Sequence, residues 1–128
     1  MDNKYLIKKA HEAKEFAYAP YSNFKVGAAL LTKDGKIFTG CNIENGSYGA
    51  TNCAERTAIF KAVSEGYKHF EKIAIVSSGG EFTMPCGMCL QVMSEFMLDA
   101  DIILSNDSGE IKVLKVKDFL PHSFVLKK

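Results

Sequence analysis

The sequence predicts an α/β fold, a three-layer α/β/α sandwich around a mixed five-stranded sheet. Three observations support this prediction. Apolar residues recur at helical spacing near the N-terminus, two uninterrupted apolar runs have the length of buried strands, and a helical segment connects those two runs. Strands joined by a crossover helix are parallel, whereas a tight turn joins antiparallel strands. A chain of 128 residues suits one core, so residues 1–128 are expected to form a single domain.

The N-terminal part of the chain contains a helix and a hairpin. Apolar side chains at helical spacing predict a helix over 3–18, which Pro20 ends. Alternation that begins at Phe24 predicts the first strand, and Asp34-Gly35 provides a tight turn into a second strand at 37–42. These two strands are expected to pair antiparallel.

The remaining elements alternate between helices and strands. A loop of polar and glycine residues precedes the second helix, and the alternation of lysines with aliphatic residues in the last strand indicates a sheet edge. In chain order these elements are a helix from about Cys53 to Gly66, a buried strand at 72–78, a helix from Cys86 to Leu98 opened by Pro85, a buried strand at 101–105 and an edge strand at 110–116.

Charge and composition narrow the classes of function. The net charge is +1 and the lysines are scattered, so the sequence offers no basic patch for nucleic acid. The N-terminal segment is charged and helical, and no apolar run has the length of a membrane span. The expected location is therefore the cytoplasm, where the four cysteines are free, metal-bound or catalytic rather than paired in disulfides.

Two cysteines in the stretch PCGMC lie on one face of the third helix. Cys86 and Cys89 are three positions apart, so both sulfurs can point at the same spot. A redox pair would need a thioredoxin-like context, whereas a third cysteine, Cys53, opens a different helix. Three protein ligands leave the fourth position of a tetrahedral zinc ion open, which is typical of catalytic zinc sites.

Glu55 follows Cys53 by two positions in the first turn of the second helix. Residues two apart on a helix face different directions, but at a helix N-terminus they can converge on a point beyond its end. Glu55 is therefore interpreted as the general acid/base beside a water on the metal, not as a ligand. The helix N-termini offset the negative charge of the thiolates, and Arg56 can donate hydrogen bonds to them.

Structural interpretations compete with this one. Cys41 could complete a closed structural zinc site, but it is adjacent to Asn42 on a strand and the two side chains point to opposite faces. If Asn42 faces the site, packing is the better interpretation of Cys41. Taken singly, Glu55 would be a solvated helix residue. The three histidines have no metal-ligand spacing, and the count of three cysteines favours the catalytic interpretation.

Cys-Ala-Glu at 53–55 followed by Pro-Cys-x-x-Cys at 85–89 resembles the motif pair of the zinc nucleoside deaminases. Zinc deaminases as a class combine three zinc ligands with a glutamate that is not a ligand. The resemblance to the cytidine deaminases extends over nearly the whole chain, through the stretches YSNFKVGAAL, GCNIENGSY, CAERTAI, PCGMCLQV and DFLPHSF. It implies a cytidine deaminase-like fold and hydrolytic deamination of cytidine and 2′-deoxycytidine in pyrimidine salvage. It also implies one zinc ion per subunit and a homotetramer whose active sites are shared between subunits.

The resemblance also implies a role for each site residue. Cys53, Cys86 and Cys89 bind zinc, and Glu55 moves protons between the water, the base and the leaving ammonia. The substrate contacts that it implies are Asn42 and Glu44 with the ribose hydroxyls, Phe24 against the nucleoside, the Ala54 backbone with the base, and Gly46, Tyr48 and Phe124 in a neighbouring subunit's site. Without the resemblance, each of four residues would have an ordinary interpretation: core aromatics for Phe24 and Phe124, a turn residue for Asn42 and a surface charge for Glu44.

One position departs from the family pattern, and three alternative functions remain. Leu90 stands where the family usually has arginine, so position 90 supplies no positive charge to offset the thiolates. One alternative substrate is another cytosine compound such as blasticidin S. A polynucleotide-editing deaminase is disfavoured by the near-neutral charge, and a non-catalytic zinc module by Glu55. Leu90 is expected to pack against apolar neighbours, with Arg56 the cation nearest the sulfurs.

Overall fold

A computed structural model describes residues 2–127 and contains one five-stranded sheet in the order β2-β1-β3-β4-β5. This confirms the predicted α/β fold with a mixed five-stranded sheet. The elements are α1 (Asn3–Lys14), β1 (Val26–Thr32), β2 (Ile37–Cys41), a 3-10 turn (Tyr48–Ala50), α2 (Ala54–Ser64), β3 (Phe70–Ser77), α3 (Gly87–Phe96), β4 (Asp101–Ser105), β5 (Ile111–Lys115) and α4 (Val116–Phe119). None of the helices in the described range is long and apolar enough to cross a membrane.

The strand directions follow from the connections between them. β1 pairs antiparallel with β2 through the turn at Gly35, whose φ of 90° suits glycine. β1 also pairs antiparallel with β3. β3 and β4 are parallel, as predicted for strands that a crossover helix joins. β5 pairs antiparallel with β4 and has exposed side chains, as predicted for an edge strand.

Helices cover both faces of the sheet and bury its apolar side chains. On one face α1 packs against β1, β3 and β4, and on the other α2 and α3 pack against the same strands. Because β1, β3 and β4 are buried on both faces, their sequences are nearly continuous apolar runs. The result is the three-layer sandwich, with α2 and α3 side by side on one layer.

Two glycines let helices approach the sheet closely. A Cβ atom at Gly27 would lie 2.0 Å from the carbonyl oxygen of Ala10 in α1. A Cβ atom at Gly40 would lie 2.5 Å from the carbonyl oxygen of Ala54 and 2.5 Å from the amide nitrogen of Ala58 in α2. Since these neighbours are backbone atoms, only glycine permits each helix to sit where it does.

Several predicted boundaries were wrong by two residues or more, and the hydrogen bonds explain two of them. The first helix ends at Lys14 rather than 18, because Tyr18 leaves the helix to form a backbone bridge with Ile43. The first strand begins at Val26 rather than Phe24. The backbone N–H of Phe24 donates to the Ser22 hydroxyl and its carbonyl accepts from the Asn42 amide, so neither group joins the ladder.

Candidate metal centre and active site

The N-termini of α2 and α3 bring three cysteines together. Cys53 is the N-cap residue of α2 and Cys86 the N-cap residue of α3, both with extended backbone. Cys89 lies in the first turn of α3 and is fully buried. This confirms the prediction that two helix N-termini point at one site, where their partial positive charges favour thiolates.

The spacing of the three sulfur atoms fits a tetrahedral metal ion. The Sγ atoms of Cys53 and Cys86 lie 3.9 Å apart, and those of Cys86 and Cys89 lie 3.5 Å apart. All three fall within 4.8 Å of one another. A tetrahedral zinc with Zn–S bonds of about 2.3 Å requires sulfur separations of about 3.8 Å, so the trio can hold zinc with little rearrangement.

Arg56 supplies the positive charge beside the sulfurs. Its guanidinium donates a hydrogen bond of 3.1 Å to the sulfur of Cys53. Hydrogen bonds from the Cys89 thiol and from Arg56 lower the pKa of Cys53 to about 5, so this cysteine is a thiolate at neutral pH. Leu90 is buried in the apolar cluster between the sheet and α2–α3, which confirms its expected packing.

Glu55 is a buried carboxyl group next to the cysteines. Only 5% of its surface is exposed. Burial raises the pKa of Glu55 to about 7, and the negative charge of Cys53 acts in the same direction. A carboxyl group with this pKa can both accept and donate a proton near neutral pH, which suits a general acid/base.

A cavity of about 270 Å³ opens beside the cysteines and Glu55. Its walls combine apolar side chains with a few polar groups, the usual character of a small-molecule site. None of the lining residues within the described chain is a lysine, an arginine or a histidine. The lining residues are Ser22, Phe24, Val26, Asn42, Glu44, Thr51, Asn52, Cys53, Ala54, Glu55, Thr83, Met84 and Cys86.

Comparison with known proteins assigns the family. The model of the cytidine and deoxycytidylate deaminase zinc-binding region matches residues 1–105. The chain belongs to this family. The cytidine deaminase of Halalkalibacterium halodurans is 52% identical over 125 residues, which cover 97% of this chain and 95% of that protein. The crystal structure of cytidine deaminase from Burkholderia pseudomallei matches with a TM-score of 0.93 and 50% identity, over 97% of this chain and 100% of the other.

A relative with another substrate in its name is more distant. The blasticidin-S deaminase of Bacillus cereus is 32% identical over 104 residues, which cover 75% of this chain and 74% of that protein. The sulfur cluster of this deaminase-family chain is compatible with one zinc ion per subunit.

Two polar residues that line the cavity, Asn42 and Glu44, are held mainly by hydrogen bonds to backbone groups. The Asn42 amide accepts a hydrogen bond of 2.9 Å from the Val26 N–H and donates one of 2.8 Å to the Phe24 carbonyl. The Glu44 carboxylate accepts from the N–H groups of Tyr21 and Ser22 and from the Ser22 hydroxyl. Both side chains therefore face the cavity in defined orientations.

Three of the predicted substrate contacts, Gly46, Tyr48 and Phe124, do not line the cavity in the single chain. Tyr48 lines a neighbouring depression with Tyr21, and their rings are 6.4 Å apart and edge to face. Gly46 lies against the same Tyr21 side chain. Phe124 is 67% exposed, and its carbonyl oxygen accepts a hydrogen bond from the Gln91 amide. Burial of Phe124 in its own subunit's core, the ordinary alternative, is therefore wrong.

Cys41 and the histidines stand apart from the cluster. Cys41 does not line the cavity, whereas its neighbour Asn42 does, as strand alternation predicted. Partial burial raises the pKa of Cys41, which disfavours its thiolate. His11, His69 and His122 are exposed.

Sequence reasoning missed six of the residues that line the cavity, namely Ser22, Val26, Thr51, Asn52, Thr83 and Met84. Ser22 lies in a turn two residues before Phe24, and Met84 lies in the loop before Pro85. A serine in a turn is too common to draw notice. Met84 enters the cavity only because the loop after β3 folds back, which no local pattern indicates.

Proposed function

We propose that this protein is a zinc-dependent enzyme that hydrolyses cytidine and 2′-deoxycytidine to uridine and 2′-deoxyuridine with release of ammonia. The observation that carries the proposal is the convergence of three sulfurs and a buried carboxyl group on one cavity. The ligands are Cys53, Cys86 and Cys89. A structural zinc site has no use for a buried carboxyl group of raised pKa, whereas hydrolysis of an amino group requires one.

The reaction defines what the side chains must do. The oxygen of one water adds at C4 of cytosine, the C4–N4 bond breaks and N4 leaves as ammonia, so protons must move from the water to N3 and N4. The three cysteines would hold the zinc ion, which when bound would lower the pKa of a water molecule. Glu55 accepts a proton from the water and delivers it to N3. It then delivers the second proton to the leaving amino group, N4.

The remaining residues bind and orient the nucleoside. Phe24 packs against it, Asn42 and Glu44 bond the ribose hydroxyls, and the Ala54 backbone contacts the base. Ala54 is the first residue of α2, so its backbone N–H is among the helix groups without an internal partner. Arg56 keeps Cys53 ionised and acts through that ligand rather than on the substrate.

The test is an absorbance assay on purified protein with cytidine, 2′-deoxycytidine and blasticidin S, with zinc content measured on the same sample. Turnover of the two nucleosides by a zinc-loaded sample is expected. Blasticidin S is the second candidate because a blasticidin-S deaminase is among the relatives. Turnover of blasticidin S without turnover of cytidine would reassign the substrate.

We further propose that the enzyme is a homotetramer that works in the cytoplasm in pyrimidine salvage, with residues 1–128 as one catalytic domain. The apolar tail supports assembly, since Phe124, Val125 and Leu126 are 67–74% exposed in the single chain. Phe124 closes a neighbouring subunit's site over the pyrimidine, and Gly46 and Tyr48 reach the same site.

Complementation tests whether sites are shared. Glu55→Gln and Phe124→Ala chains are each expected to be impaired, and mixed oligomers formed by dissociation and reassembly should regain activity. Such oligomers contain sites with an intact Glu55 and a Phe124 from a different chain. Full activity of Phe124→Ala alone, or no gain on mixing, contradicts the sharing of sites.

A further inference from the structure

The turn before β1 is held in an unusual backbone conformation. Asn23 has a φ of 57°, the only positive φ outside glycine among the described residues. Its N–H donates to the Ala19 carbonyl over 2.9 Å. In this turn Ser22 is hydrogen-bonded to both Glu44 and Phe24, two residues that line the cavity.

The turn supplies every hydrogen bond that Glu44 receives within the described chain. Oε1 of Glu44 accepts from the Tyr21 N–H over 2.9 Å and from the Ser22 N–H over 3.2 Å. Oε2 accepts from the Ser22 hydroxyl. A carboxylate has about four acceptor positions, so three are filled and one, on Oε2, remains for another donor. The orientation of that position depends on the Ser22 hydroxyl.

The same hydroxyl is also bonded to the backbone of Phe24. Oγ of Ser22 accepts a hydrogen bond of 3.0 Å from the Phe24 N–H. The Phe24 carbonyl in turn accepts from the Asn42 amide. Ser22 therefore couples the carboxylate on the sugar side of the cavity to the aromatic wall and, through Phe24, to Asn42.

We infer that Ser22 is a positioning residue for sugar recognition, which acts by orienting Glu44. The inference rests on the proposed function, because it assigns Glu44 to the sugar of a nucleoside. Without the hydroxyl, Oε2 loses its only hydrogen-bond donor in the described chain. The carboxylate can then rotate about its remaining backbone bonds. Oε2 would present two acceptor positions to water instead of one oriented position to the sugar.

The test compares Ser22→Ala with Ser22→Thr, which keeps the hydroxyl, in the zinc-loaded enzyme. Ser78→Ala is the matched control. Ser78 is an exposed serine just after β3 whose hydroxyl accepts from the Lys25 N–H over 3.0 Å, and within the described chain no hydrogen bond joins its side chain to Glu44 or Phe24. Ser22→Ala should raise KM for cytidine about tenfold and change kcat less than about threefold, as loss of one charge-assisted hydrogen bond predicts. Ser22→Thr and Ser78→Ala should stay within about twofold of the wild type.

A double-mutant cycle tests whether Ser22→Ala changes KM through Glu44. If Ser22 acts through Glu44, Ser22→Ala should change KM less than about twofold when Glu44 is already alanine. It should also have little effect on the KM for 2′,3′-dideoxycytidine, which lacks the 2′- and 3′-hydroxyls of the sugar.

An unchanged KM in Ser22→Ala, or the same tenfold loss in the Glu44→Ala background, overturns the inference while the proposed function stands. A wild-type enzyme that does not convert cytidine overturns the proposed function and the inference with it.

Discussion

The helix on one face of the sheet begins differently from the two helices on the other. α1 has a conventional start, in which the Asp2 carboxylate accepts a hydrogen bond of 3.0 Å from the Lys4 N–H. The N-cap residues of α2 and α3 are Cys53 and Cys86, and within the described chain neither side chain makes a capping hydrogen bond. All three helices have similar lengths, between 10 and 12 residues. The difference therefore lies in what each N-terminus is used for.

A helix N-terminus without a capping side chain is less stable, but its unpaired backbone N–H groups can interact with other groups. The first backbone N–H groups of a helix have no partner inside it, and a side-chain cap satisfies one of them for about 1 kcal/mol. In α2 and α3 the cap positions hold sulfur instead, and the helix ends face the cavity. The N-terminus of α1 therefore has a stabilising cap, whereas those of α2 and α3 place reactive thiol groups at the cavity.

The largest effect on the α2–α3 face is expected for Glu55→Gln. This change keeps the shape of the side chain but removes its ability to exchange a proton. General acid/base groups contribute roughly 10²–10⁴-fold, and the role proposed for Glu55 includes several proton transfers, so kcat should fall by at least about 10³-fold. Zinc content and melting temperature should stay close to those of the wild type. Near-normal turnover in a zinc-loaded variant contradicts the role of Glu55.

Cysteine substitutions should show which cysteines contribute to zinc binding and which does not. Cys89→Ala should lower zinc affinity by more than the roughly 10–100-fold that loss of an outer hydrogen-bonding partner costs. Cys41→Ala is the matched control, because Cys41 lies outside the cluster, and it should keep one zinc per chain. Metal analysis after dialysis against a weak chelator measures both. Equal zinc loss in the two variants would show that Cys41 belongs to the site.

A pair of glycine substitutions compares the two faces directly. Gly27→Ala and Gly40→Ala each place a methyl group against helix backbone, and overpacking of this kind costs about 1–3 kcal/mol or more. Gly40→Ala should also weaken zinc binding, because the displaced helix carries Cys53 and Glu55. Gly27→Ala should leave the zinc content of the folded protein unchanged. Urea unfolding and zinc titration of the folded fraction distinguish these outcomes, and equal zinc affinity in both variants contradicts the comparison.

The smallest expected effect concerns the capped helix. Asp2→Ala should lower the free energy of unfolding by about 1 kcal/mol, the usual value of an N-cap. Asp2→Asn keeps a capping oxygen and should cost less. Zinc content and kcat should not change in either variant. A loss of activity in Asp2→Ala at full zinc occupancy would show that the two faces are coupled.

Much of the fold was predictable because its patterns are local. The runs at 72–78 and 101–105 are mostly apolar, which predicts buried strands, and the helix between them predicts that the two strands are parallel. The end of α1 was not predictable. Residues 15–18 have helical composition, but Tyr18 pairs with Ile43, a partner 25 positions away that no local pattern reveals.

The candidate site was predictable to the extent that its residues have distinctive chemistry. Three cysteines and one glutamate at helix starts are rare enough to indicate a metal centre. The support for Glu44 was not predictable, because Ser22 contributes an ordinary hydroxyl whose importance depends on the backbone of Asn23. Common residue types acquire their roles from geometry, and that geometry becomes visible only in three dimensions.

The sequence separation of the sulfurs has a consequence for the unfolded chain. Cys53 and Cys86 are 33 positions apart, and all of β3 lies between them. An ion bound to both closes a loop of that length, much as a disulfide would. The entropy of a cross-link over such a loop corresponds to about 3–4 kcal/mol of stabilisation. Loss of the ion therefore removes the constraint between the two ends of the β3 segment in the unfolded chain. Resistance to heat and to proteolysis should then decline together with catalysis, even though the apolar core is unchanged.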